Sequence, residues 1–170
     1  RVLQNPKLKL VIGDARQHVL ATTDRYDVII SEPSNPWMAG VSALFTREFF
    51  EGVRGRLSPG GVFCQWGHLY NMGEADLATL LATFEDVFPK GRVFVISEAD
   101  ILIVGSEGPT SLNESRLAQI HEAARADLAA SKLSPSALAA LPTALLADLP
   151  WLRDARRHTD DAPVLDFSAP

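Results

Sequence analysis

Cysteine is almost absent from this 170-residue chain. Cys64 stands alone, which excludes an intramolecular disulfide and fits a reducing compartment, so the cytoplasm is the expected location. Long apolar runs are lacking too. No stretch approaches the roughly 20 residues that cross a bilayer, and none reads as a secretory leader. Positive charge is in deficit, with 16 Lys and Arg against 21 Asp and Glu and a net charge of −5. That balance argues against nucleic acid as a partner, because phosphates call for a basic face. It is compatible with a cationic substrate. The chain starts at Arg1 without an initiator methionine, so a fragment of a longer protein is expected.

What is present is a globular composition, 46% hydrophobic and 22% charged, in a chain long enough for one ordinary core. The stretch that organises it is RYDVIISEPSNPWMAGVSALFTREFF, residues 25–50. Val28, Ile29 and Ile30 form a β-branched run suited to a strand buried on both faces. Pro33 and Pro36 then forbid helix and central strand, and Thr46 is a good N-cap for a helix reaching Arg56 or Leu57. Before this unit, 8–12 (LKLVI) reads as a strand, with Asp14 capping a short helix that ends near Thr22. After it, the turn 58–61 (SPGG) leads into a buried strand over 62–66 (VFCQW). Asn71 and Glu74 are spaced as a capping box for a helix carrying Leu77, Leu80, Leu81, Phe84 and Phe88, which Pro89 stops.

Runs 92–96 and 101–104 are separated by four residues, too few for a crossover helix, so they are expected to pair as an antiparallel hairpin. The order predicts an α/β doubly wound sheet, mostly parallel, with parallel strands near 8–12, 26–31 and 61–66 and the hairpin at its edge. Residues 1–110 are expected to form this domain, and 111–170 a helical extension and acidic tail packed on it. In that extension Ser111 and Glu114 read as a capping box. Leu117, Ile120, Ala124 and Leu128 mark an amphipathic helix, Ser134-Pro135 starts another, and Pro142 shortens it.

Asp14, the pair Glu32 and Asn35, and Gln65 fall at predicted strand ends on one edge of the sheet, where such folds collect ligands. Each has a plainer reading: an N-cap for Asp14, turn formers for Ser34 and Asn35, a solvated strand end for Gln65. Cys64 reads as a core residue, and Trp37 and Met38 as a lid or as loop packing. His158, Asp160 and Asp161 read as capping or solvated groups rather than a metal site, and His18, His68 and His121 receive no role.

Four phrases, GDAR at 13–16, YDVIISEPSNP at 26–36, SALFTREFF at 42–50 and LSPGGVFCQW at 57–66, together with the closing TDDAPVLDFSAP, resemble the spermidine synthase family of aminopropyltransferases. They look most like its divergent bacterial members, often fused to membrane segments. The resemblance implies a Rossmann-like fold of the S-adenosylmethionine methyltransferase type. It implies decarboxylated S-adenosylmethionine (or S-adenosylmethionine) as co-substrate, no permanently bound cofactor and no metal. It also implies a polyamine such as putrescine as acceptor. Asp14, with Ala15 beside it, matches the nucleoside-binding position. Glu32 stands where the family has an Asp as base, Asn35 where it has a second Asp, and Gln65 near the amine pocket. By the same resemblance 8–12 is the third strand of the family fold. The glycine-rich turn and the ribose-binding acid are therefore expected before Arg1, and the isolated chain is expected to bind nucleoside poorly. An exposed sheet edge, with a possible homodimer, follows from the same alignment. A methyltransferase of the same fold and a non-catalytic nucleoside- or polyamine-binding domain are the alternatives.

Overall fold

The computed structural model describes residues 2–38, 40–110, 113–125, 134–166 and 168. Its elements run α1 (Ala15–Ala21), β1 (Tyr26–Ser31), α2 (Arg47–Arg56), β2 (Leu57–His68), α3 (Glu74–Val87), β3 (Arg92–Val95), β4 (Asp100–Gly105), α4 (Glu114–Ala123), α5 (Pro135–Ala139) and β5 (Thr143–Leu145). The five strands form one sheet in the order β1-β2-β4-β3-β5. β1 and β2 are parallel, and the remaining pairs, including the hairpin β3/β4, are antiparallel. Asp14 and Thr46 cap α1 and α2 as their positions predict, accepting from the N–H groups of Gln17 and Phe49.

The turn sequence SPGG lies within β2 as a bulge. The partner of Tyr26 is Leu57, whereas that of Val28 is already Val62. Gly60, at φ +78°, makes the bulge possible.

The expected strand at 8–12 does not form. Leu10, Val11 and Ile12 are 65%, 58% and 92% exposed. A strand needs a neighbour for its N–H and C=O groups, and among the described residues nothing pairs with the outer edge of β1. With 8–12 outside the sheet, its parallel part shrinks to β1/β2 and the sheet is mixed. Nor is β1 buried on both faces. Ile29 packs on the core, while Val28 and Ile30 are 58% and 71% exposed.

The reason lies in the layers. Phe49, Phe50 and Val53 of α2 and Leu80, Leu81 and Phe84 of α3 pack with Phe63, Ile101 and Ile103 on one face. On the other face Leu117 of α4 and Leu138 of α5 meet Phe94, Leu102 and Val104. Among the described residues nothing covers the β1 part of that second face, where Val28 and Ile30 are exposed.

Smaller expectations also shift. The capping box of Asn71 and Glu74 is not made: Gly73 is the N-cap of α3, and Asn71 turns the chain at φ +56°, a region Asn tolerates. Asn113 caps α4 by accepting from the Arg116 N–H; Ser111 and Leu128 lie outside the described residues. β5, which periodicity did not reveal, pairs with β3 after Pro142. The tail is irregular yet anchored, as His158, Leu152 and Leu165 are buried.

His158 is the anchor of that tail. Its Nδ1 accepts from the Leu165 N–H at 3.3 Å, which puts the ring proton on Nε2, 3.0 Å from the Ser42 carbonyl it donates to. Its own N–H donates to Thr83 Oγ1 on α3. Burial pushes the imidazole below its ordinary value, against the pull of the Ser42 carbonyl and of Asp166, Asp160 and Glu48. The unfolded chain therefore binds the extra proton more readily, so this contribution to stability is full above about pH 6.5 and is lost as pH falls toward the depressed folded value. Thermal melts of the chain should show a drop between pH 7.5 and 5 that His158→Gln makes shallower. An unchanged slope would remove His158 from the acid response.

Candidate functional site

Because β1 and β2 are parallel neighbours, their carboxyl ends open on the same edge. Their register sets Ser31 beside Gln65. Glu32, exposed, is the first residue past β1, and the chain then turns through Pro33 and Pro36, the latter buried. Asn35 is half-buried, and its Oδ1 accepts a hydrogen bond of 2.7 Å from the Tyr70 hydroxyl. That bond ties the loop after β1 to the loop after β2. Trp37 stands against Tyr70 edge to face, with ring centroids 6.2 Å apart, so it packs on the site rather than being free of it.

Gln65 is not a solvated strand end. It is fully buried, its Nε2 donates to the Trp66 carbonyl at 3.1 Å, and its Oε1 has no partner among the described residues. A buried amide oxygen left unpaired costs about 1–3 kcal/mol, and such groups mark sites that receive a donor.

Asp14 and Ala15 open a second hollow. With Arg16, Gly40, Ala43 and Leu44 they line a cleft of about 230 Å³, below the ~300–1,000 Å³ of pockets that bury a small molecule. The cleft takes in neither Glu32, Asn35 nor Gln65. Arg16, in its lining, donates to the Ala43 carbonyl and pairs with Asp160. The predicted site residues thus fall in two groups. Glu32, Asn35 and Gln65 gather at the β1/β2 edge, while Asp14 and Ala15 sit across the segment 40–44.

Sequence reasoning missed the residues that complete the first group. His68, the last residue of β2, places Nδ1 2.9 Å from Asp100 Oδ1 and its ring 4.9 Å from that of Tyr70. The hydrogen bonds from His68 and then Ser97 hold the Asp100 carboxyl below the usual carboxylate value. The available signal was spacing: His68 and Tyr70 follow Gln65 at the end of the strand that runs beside β1. Cys64 is half-buried and burial pushes its thiol up, which makes it a poor nucleophile. Among the described residues no His, Cys, Asp or Glu group is arranged to hold a metal ion, and no helix is long and apolar enough to cross a membrane.

Residues 1–116 match the sequence profile of the spermine/spermidine synthase domain. Over 59 residues the chain is 46% identical to the polyamine aminopropyltransferases of Escherichia coli strains, among them K12 / DH10B. The matched segment is 35% of this chain and spans 20% of those proteins' length. In three dimensions the chain is similar to a probable spermidine synthase from Corynebacterium glutamicum ATCC 13032. The TM-score is 0.58 at 20% identity, over 89% of this chain and 54% of the other. It is also similar to human methyltransferase-like protein 13 in complex with SAH, at TM-score 0.54 and 22% identity, over 74% and 61% of the two chains. These two likenesses show a Rossmann-like fold.

Proposed function

The chain belongs to the spermine/spermidine synthase domain family, and we propose that the intact protein is an aminopropyltransferase. Decarboxylated S-adenosylmethionine is the donor and a diamine such as putrescine the acceptor, in the cytoplasm. The observation that supports this reading is the Ser31–Gln65 register: Glu32 follows Ser31 at the edge where Tyr70 binds Asn35, and the buried Gln65 Oε1 has no partner among the described residues. In the reaction the lone pair of an amine nitrogen attacks the methylene carbon bonded to the sulfonium. The C–N bond forms, the C–S bond breaks with its electrons going to sulfur, and a neutral thioether nucleoside leaves. The nitrogen must shed a proton, and Glu32 receives it. Asp14 and Ala15 hold the nucleoside, with their cleft as part of its site. Gln65 Oε1 accepts from an ammonium, while Asn35 orients the chain of the amine.

A second reading, a non-catalytic binding domain, draws on one feature. The Asn35 carbonyl is engaged by Tyr70, so what its side chain has left to offer is NH₂ donors, and donors do not hold an ammonium. Aminopropyl transfer from decarboxylated S-adenosylmethionine to a panel of diamines, assayed with the intact protein, decides. Transfer supports the enzyme. Binding of nucleoside or diamine without transfer supports the second reading, and methyl transfer from S-adenosylmethionine would replace both.

A further inference from the structure

Beside Glu32 the edge carries a second basic group that the proposed reaction has not yet used. His68 Nδ1 lies 2.9 Å from Asp100 Oδ1 and 3.3 Å from the indole Nε1 of Trp66. A carboxylate only accepts, so the shorter contact puts the proton on Nδ1; a protonated Nδ1 cannot accept from Trp66, and the indole N–H donates to the Asp100 carboxylate instead. Asp100 is itself steadied by Ser97 Oγ at 2.9 Å. The opposite nitrogen, Nε2, then carries a lone pair and has no hydrogen-bond partner among the described residues. A carboxylate that fixes one tautomer and one orientation of imidazole is the arrangement that makes the far nitrogen a ready proton acceptor.

Position completes the argument. The His68 ring is 4.9 Å from the Tyr70 ring, and the Tyr70 hydroxyl is bonded to Asn35, three residues from Glu32. Asp100 from β4 and Tyr70 from the loop after β2 are titratable groups that face the ring. We propose that His68 Nε2, oriented by Asp100, is the first proton acceptor for the acceptor amine, acting before Glu32. This inference rests on the aminopropyl-transfer reading.

The step follows from the amine's charge. An alkylamine arrives at neutral pH as R–NH₃⁺, which has no lone pair. His68 takes one proton and becomes imidazolium beside the Asp100 carboxylate, and the freed lone pair attacks the sulfonium-bound carbon. As the C–N bond forms and the C–S bond breaks, the nitrogen carries two hydrogens and a developing positive charge, and Glu32 accepts one of those protons in the same step. Two protons leave, one to each group.

A pH profile separates this from a merely structural Asp–His contact. With His68 present, the reactive complex has the same number of protons as the bound ammonium complex, so kcat should be flat between pH 7 and 9. In His68→Gln the proton must go to bulk water. Its kcat should fall about a hundredfold or more at pH 7, then rise about tenfold per pH unit toward the amine's own value, near the ~10.4 of a lysine. Asp100→Asn should show the same slope with a smaller deficit. A His68→Gln enzyme with wild-type kcat, or with reduced kcat and a flat profile, overturns the inference. An inactive wild type rejects aminopropyl transfer itself, and the inference is then decided on the His68 ¹⁵N resonances of the same protein. A shift of Nε2 on adding putrescine supports contact with the amine, and an Nε2 signal that does not move overturns it.

Discussion

Phe63→Ala should cost this chain about 3–5 kcal/mol, the usual penalty for deleting a buried phenylalanine. Phe63 is fully buried at the centre of β2. Its ring stacks on Phe84 at 5.7 Å and approaches Phe50 and Phe88, each at 5.9 Å, and Phe49 at 6.4 Å. No small shift of one neighbour fills the space, because these rings come from two helices and the turn beyond α3. Gly105 shows how tightly they are set: a Cβ there would come within 2.5 Å of the Phe88 ring, which lies directly on the strand. For a domain whose whole stability is typically 5–15 kcal/mol, the melting temperature should drop by roughly 6–20 °C. Val28→Ala is the control. Val28 lies on the open face of β1, 58% exposed, and its loss should stay within about 0.5 kcal/mol. Equal effects at the two positions would mean that the core is not the helix-covered face.

The contrast between those two positions also shows what could be read from residues alone. Thr46, Asp14, the short gap after Ile96 and the Leu and Phe spacing of α3 are local signals, and the elements they predict are present. The run Val28 to Ile30 announces a strand but not which faces are covered, since that depends on what other segments bring to the sheet. The same limit explains 8–12: its apolar residues qualify it as a strand, yet a ladder needs a partner. At the site, chain order placed Glu32, Asn35 and Gln65 at strand ends, and the parallel register joined them. Their partners were hidden by separation. Tyr70 is 35 residues from Asn35 and Asp100 is 32 from His68, and no periodicity in either segment announces such a pair. His158 is the extreme case, a tail residue whose ring is bonded 116 positions away, at Ser42.

Glu32→Gln in the intact protein should lower kcat for aminopropyl transfer by about 10²–10⁴, the range of general base catalysis. Glutamine keeps the length and hydrogen bonding of the side chain but not its basicity. Glu32 is exposed after β1, and surface changes usually stay within about 0.5 kcal/mol, so the effect is on the reaction and not on folding. The deficit should fall on kcat and spare nucleoside affinity, because the proton is transferred only as the C–N bond forms. It should also persist at pH 9, where the amine's first proton is already easier to remove, and that separates Glu32 from His68. Asn35→Asp provides the complementary change. Tyr70 keeps its hydroxyl donor 2.7 Å from position 35, now facing a carboxylate, and the second oxygen replaces an NH₂ that repels an ammonium. A charge-assisted bond in place of a neutral one is worth about 1–1.5 kcal/mol more, so KM for the diamine should fall roughly tenfold with kcat little changed. Steady-state kinetics on the two variants test both roles. A Glu32→Gln enzyme with wild-type kcat would show that the proton goes elsewhere, and an Asn35→Asp enzyme with unchanged KM would place the ammonium away from the loop that Tyr70 holds.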